Sequence, residues 1–146
     1  TQELPAIDPL TSSEACTVIR GKLEQELAQM SPEEAAEFLA EFDIGQSARD
    51  RVIAQSYELL GLISFFTVGE DEVRAWTIKT GTPAVEAAGV IHSDMQKGFI
   101  RAEVLPYAAL METGSFAAAR KQGTVRLEGK TYIVEDGDIF HVRFNI

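Results

Sequence analysis

The apolar positions of this chain keep a helical period up to about Gly61 and a strand period after it. Leu23, Leu27 and Met30 recur at i, i+4 and i+7, which predicts an amphipathic helix. Ser31-Pro32-Glu33-Glu34 has the form of a capping box with Pro at the first helical position. A second helix starts there, with Ala35, Phe38, Leu39 and Phe42 as its apolar stripe and Gly45 placed to stop it. Ser47 as N-cap and Asp50 in the first turn announce a third helix. Its expected buried face is Val52, Ile53, Tyr57 and Leu60, and Gly61 ends it. Upstream, Thr1 to Glu14 reads as an irregular lead-in and Ala15-Cys-Thr-Val-Ile19 as a short β-prone run.

From Leu62 the pattern changes. Ile63 to Val68 is rich in β-formers, Gly69 to Glu72 is a turn, and Val73 to Ile78 alternates apolar and polar as a half-buried strand does. Together they predict a hairpin. Thr82 as N-cap and Pro83 at N1 open a helix through Ala88. Phe99 to Leu105 is a strand broken by Pro106, and Tyr107 to Glu112 and Ser115 to Gln122 are short helices. Three strands close the chain, at Thr124 to Leu127, Thr131 to Val134 and Ile139 to Asn145, with turns at Glu128-Gly129 and Asp136-Gly137. The order predicts an α+β fold, a small mixed sheet wrapped around a helix, preceded by a small α-helical segment.

With 146 residues and 45% of them apolar, the chain is long enough for one core or two small ones. No apolar run approaches the roughly 20 residues that span a bilayer, so no membrane partner is expected. Residues 1–10 have neither the basic nor the apolar part of a signal peptide, and the missing initiator Met reads as a cut or processed start. Cys16 is the only cysteine, which rules out an internal disulfide and makes a cytoplasmic location the default. An inert, buried thiol is its expected state. The charge is uneven. Up to Val68 there are 4 basic and 12 acidic residues, a net of −8, and from Gly69 there are 9 basic and 11 acidic, a net of −2. So acidic a chain is a poor general binder of nucleic acid, and no DNA partner is expected, but its second half has room for a local basic face.

Candidate chemistry is sparse. Gly123 to Thr131 imitates a phosphate loop, yet five residues separate Gly123 from Gly129, and Tyr132-Ile133-Val134 reads as a strand where a phosphate loop needs a helix. His92 and His141 are the only histidines, too few for a Cys/His metal cluster. His92, Ser93 and Asp94 are sequence neighbours, a poor basis for a nucleophile–base pair, and the simpler reading of His92 is a turn residue capping its own backbone. Arg74, Lys79, Lys97, Arg101, Arg126, Lys130 and Arg143 lie on the predicted sheet or its connections. Period 2 puts Arg74 with Trp76 and Arg101 with Phe99, pairings that hold phosphates and stack bases in RNA-binding sheets. Pattern alone favours ordinary surface charge, with Trp76 and Phe99 in the core.

Several strings then carry a family resemblance: Phe65-Phe66-Thr67, Glu72-Val-Arg-Ala-Trp-Thr-Ile78, Ala87-Ala88-Gly89, Ile91-His92, Lys97-Gly-Phe-Ile-Arg-Ala-Glu-Val104, Asp136-Gly137-Asp138 and Phe144-Asn145. Over residues 62–146 the chain resembles the C-terminal TGS domain, a β-grasp module, of the YchF / Obg-like ATPases. Upstream, Gly21-Lys-Leu-Glu to Leu27, the Ser31 helix and Tyr57-Glu-Leu-Leu60 are similar to that family's linker, which gives a helical segment at 23–61. Residues 1–22 then correspond to a lead-in and the last strand of the nucleotide domain. There the family closes a small Ser-containing loop around the nucleotide base. The matching positions are Arg20, Gly21 and Lys22, of which Gly21 fits and Arg20 departs from the usual hydroxyl residue.

The resemblance implies a parent P-loop ATPase that also accepts GTP, uses Mg²⁺ and associates with ribosomes. The phosphate loop, the Mg²⁺-binding segment, the hydrolytic His region and the base-selecting Asn motif have no counterpart in these 146 residues. The chain is therefore expected to be non-catalytic and to hold no cofactor of its own. The expected role is docking on the large ribosomal subunit or on RNA, with Arg74, Lys79, Lys97 and Arg101 contacting phosphate, and the nucleotide domain as partner in cis. An alternative is an intramolecular domain that gates the parent ATPase without touching RNA. A stand-alone small-ligand regulator is a third possibility.

Overall fold

The computed structural model describes residues 18–42, 44–69 and 71–145. The β-prone run around Cys16, and Cys16 itself, lie outside them. The chain divides into two compact units, Thr1–Leu60 and Gly61–Ile146.

The first unit holds three helices, α1 (Gly21–Leu27), α2 (Pro32–Glu41) and α3 (Ala48–Leu59). Their starts are written in local chemistry. At α2 the Ser31 hydroxyl accepts from the Glu34 N–H at 3.3 Å while the Glu34 carboxylate accepts from the Ser31 N–H at 2.9 Å, so both halves of the capping box form. At α3 the Ser47 hydroxyl accepts from the Asp50 N–H at 3.1 Å. Glu24 of α1 accepts from the Ala48 N–H at 2.8 Å, which satisfies another free donor of the α3 first turn. The helix expected to begin near Leu23 starts two residues earlier, so Gly21 and Lys22 are its first turn and Arg20 its N-cap. The apolar face expected of α3 is not buried. Ile53 is 53% and Leu60 66% exposed, and Leu27 and Ala48 are the buried apolar residues among those described in this unit. Three helices of 7, 10 and 12 residues have too little surface to enclose that face.

The second unit is the expected α+β fold. Its strands are β1 (Leu62–Val68), β2 (Val73–Lys79), β3 (Phe99–Pro106), β4 (Arg126–Glu128) and β5 (Asp138–Phe144), in the spatial order β2-β1-β5-β3-β4. β1 and β5 run parallel and every other pair is antiparallel. Helix α4 (Ala84–Ile91) lies on one face of the sheet. Its Ala84, Ala87 and Ala88 are small enough to approach Phe65, Ile78, Phe99, Ala102, Val104 and Phe140 closely, and together they form the main core. Phe65 and Phe140 meet edge to face at 5.5 Å between ring centroids. On the second face α6 (Tyr107–Thr113) and α7 (Phe116–Gln122) cover Leu105 and Ile139 with Leu110, Phe116 and Ala119.

Two local expectations fail for physical reasons. Residues 131–134 are not a strand; they make one isolated bridge, Pro83↔Ile133. The carbonyls of Tyr132 and Lys130 instead accept from the Ala84 and Val85 N–H groups, at 2.7 and 3.3 Å, and so cap α4. Pro83 is accordingly the extended N-cap, and Thr82 turns its hydroxyl to the Lys79 carbonyl at 2.6 Å. Short helix α5 (Ser93–Lys97) fills the stretch before β3, and the imidazole Nδ1 of His92 accepts from the Asp94 N–H at 3.2 Å at its start.

The Asp136-Gly137-Asp138 string is a joint. Asp136 accepts from the Ser64 N–H at 2.8 Å, and Gly137 donates its N–H to the Ser64 carbonyl at 2.8 Å from a left-handed conformation, φ +80°, that favours glycine. Buried Asp138 accepts from the Tyr132 hydroxyl at 2.8 Å and the Glu135 N–H at 3.0 Å. Burial, and then the Asp138 carboxylate, push the Tyr132 phenol well above its usual range.

Candidate functional site

The four basic residues singled out in the sequence do not form one patch. Arg74 lies on the α4 side of β2, its guanidinium 4.2 Å from the centre of the Trp76 ring, and Trp76 donates its indole N–H to the Thr67 hydroxyl at 2.9 Å. The expected Arg74–Trp76 pairing is therefore real, with Trp76 packed against the core. Lys79 is an odd number of residues away and faces the other side of the same strand. Lys97 ends α5, its ammonium 4.0 Å from the Asp94 carboxylate.

Arg101 does not share a face with Phe99. A β-bulge between them sets Phe99 opposite Phe144 but Arg101 opposite Arg143, so two residues of β3 answer one step of β5. Phe99 then points into the main core, while Arg101, Glu103 and Leu105 alternate onto the second face. A period-2 count cannot register the extra residue.

That bulge turns Arg101 onto the second face, which also carries a charged cluster. Glu103 is 3% exposed. Its Oε2 accepts from Arg120 of α7 at 2.6 Å and its Oε1 accepts from Arg143 of β5. Burial pushes the Glu103 carboxyl up, but the hydrogen bonds and charges of the two guanidinium groups outweigh it and hold the carboxyl below the ordinary glutamate range. Both arginine side chains stay more than half exposed, at 58% and 55%. Arg101 stands directly across from Arg143 and has no side-chain hydrogen bond or ion pair among the described residues. The site thus gathers two arginines on one carboxylate, with a third, Arg101, across the strand pair from one of them. Sequence reasoning passed over Arg120 and used Arg143 only as a basic residue on the sheet. They lie 17 and 40 residues from Glu103, and no local pattern links them.

His92 Nδ1 is engaged with the Asp94 backbone, and among the described residues no group of three or more His, Cys, Asp or Glu is placed to hold a metal ion. No phosphate loop forms at Gly123 to Thr131, where β4 leads into the segment that caps α4. Arg20, Gly21 and Lys22 are exposed at the start of α1. No described helix is long and apolar enough to cross a membrane.

A mixed five-stranded sheet around one helix, with arginines on its second face, defines a small α+β domain. Residues 62–145 match the YchF-GTPase_C family, described as "Protein of unknown function (DUF933)". The chain belongs to that family, the C-terminal domain of YchF and Obg-like ATPases. It is 52% identical over 129 residues to the ribosome-binding ATPase YchF of Bacillus subtilis, covering 88% of this chain and 35% of that protein. It is 49% identical over 125 residues to human Obg-like ATPase 1, covering 86% of this chain and 31% of that protein. The solved YchF GTPase of Schizosaccharomyces pombe superposes with a TM-score of 0.73 at 39% identity, over 86% of this chain and 33% of that one. The chain thus spans about a third of the length of these relatives.

Proposed function

We propose that this chain is the docking part of a YchF-type ATPase and that its sheet unit contacts ribosomal RNA, on the large subunit. The observation that carries the reading is the segregation of charge. Nine of the 13 basic residues follow Gly69, and the second face of the sheet gathers arginines, while the first 68 residues are strongly acidic. The relatives named as ribosome-binding ATPases point the same way. Lys79 and Arg101 share the second face and are assigned to phosphate, and Arg74 and Lys97 to flanking contacts. ATP or GTP, with its Mg²⁺, binds outside these residues in this reading, as does the nucleotide domain acting in cis. Arg20, Gly21 and Lys22 border that domain, the chain alone turns over neither nucleotide, and it works in the cytoplasm. Pelleting with purified ribosomes over a salt series tests it. The binding constant should fall steeply as salt rises, with a log–log slope of about −0.7 to −0.9 per phosphate contacted. No pelleting at the lowest salt overturns it.

A further inference from the structure

We infer that Arg101, Arg120 and Arg143 form a clamp, set by Glu103, for the phosphodiester backbone of RNA. The inference rests on the docking reading above and goes further by naming the site and its ligand. A guanidinium carries five N–H donors. Arg120 and Arg143 each reach Glu103 through Nη2, and both remain more than half exposed, so donors are left over on each. Glu103 thus fixes two forks that come from different elements, α7 and β5.

Arg101 adds what internal structure does not explain. Like charges directly opposite on neighbouring strands destabilise a sheet, yet Arg101 faces Arg143 and has no counter-charge among the described residues. The sum is a net charge of +2 in a chain of net −10. An anion seated between the three guanidinium groups removes the repulsion and supplies the missing partner. A flexible single strand of RNA can bring successive phosphates to donors that stand on different elements, and forked donors suit them better than point charges do.

The test uses the full chain, purified ribosomes and deproteinised ribosomal RNA. Arg101→Ala should leave the melting temperature unchanged or raised, lower affinity for both probes about tenfold, and flatten the salt slope by about one unit. Arg101→Lys should recover only part of the loss. Glu103→Gln makes the site more positive, so a site of charge alone would bind RNA more tightly, whereas a clamp that Glu103 positions binds it several-fold more weakly. If wild type does not pellet with ribosomes, the docking reading fails and the clamp with it. If wild type pellets and Arg101→Ala binds as well, the clamp alone fails. Binding to ribosomes but not to their RNA identifies a ribosomal protein as partner and overturns the clamp, as does tighter binding by Glu103→Gln. Should Arg120→Ala or Arg143→Ala unfold, Arg101→Ala decides, because the Arg101 side chain makes no hydrogen bond or ion pair among the described residues.

Discussion

Taking a carboxylate almost wholly out of water is costly unless its oxygens are answered, and both oxygens of Glu103 are answered by arginine. Its folded pKa lies below the unfolded value of about 4.3. The ionised form therefore contributes stability above that pH, and the contribution is lost as pH falls through the lower, folded value. Melting temperatures of wild type and Glu103→Gln should differ most near neutrality and converge only as pH falls through the lower, folded value. A constant gap across that range would show that the pair holds by shape and not by charge. At this scale the sequence was readable wherever partners are neighbours. Ser31 with Glu34, Ser47 with Asp50, and His92 with its own turn were each visible in four residues or fewer. Glu103 and its arginines were not, because burial and long-range pairing leave no mark on spacing.

Among the elements, the junction of α5 with β3 leaves no room for a side chain at Gly98. Gly98 has an ordinary backbone, φ −91° and ψ 10°, so its need for glycine is one of space. Its carbonyl accepts from the Asn145 N–H at 3.0 Å, and a Cβ added there would overlap the Asn145 backbone. Gly98→Ala should destabilise the sheet unit by about 1–3 kcal/mol, read as a lower urea midpoint. An unchanged midpoint would mean that Asn145 moves aside freely. The same region explains which strands could be foreseen. β1, β2 and β3 show their composition plainly, whereas residues 131–134 have equal β-character and serve instead as the cap of α4. The Tyr132 carbonyl, like that of Lys130 before it, is claimed by a helix far earlier in the chain, and propensity alone does not distinguish the two uses.

At the scale of the whole molecule, the two units have different reserves of buried apolar surface. The helical unit buries Leu27 and Ala48 among its described residues, whereas the sheet unit supplies every other buried apolar side chain. Amide hydrogen exchange should therefore show α1 to α3 opening at lower free energy than β1, β3 and β5. Equal protection in both would require burial of the α3 face by something further. The α+β class was legible because the period changes at Leu62; the second-face site was not, because it depends on a bulge and on strand order. That order has one more consequence, for the moment of synthesis. β5 sits between β1 and β3, yet it is made after both. Until residues 138–144 leave the translating ribosome, the hairpin of β1 and β2 has no neighbour to join, and β3 and β4 stand apart from it. The sheet must wait as two strand pairs with bare edges, linked through α4, and the late strand closes both at once.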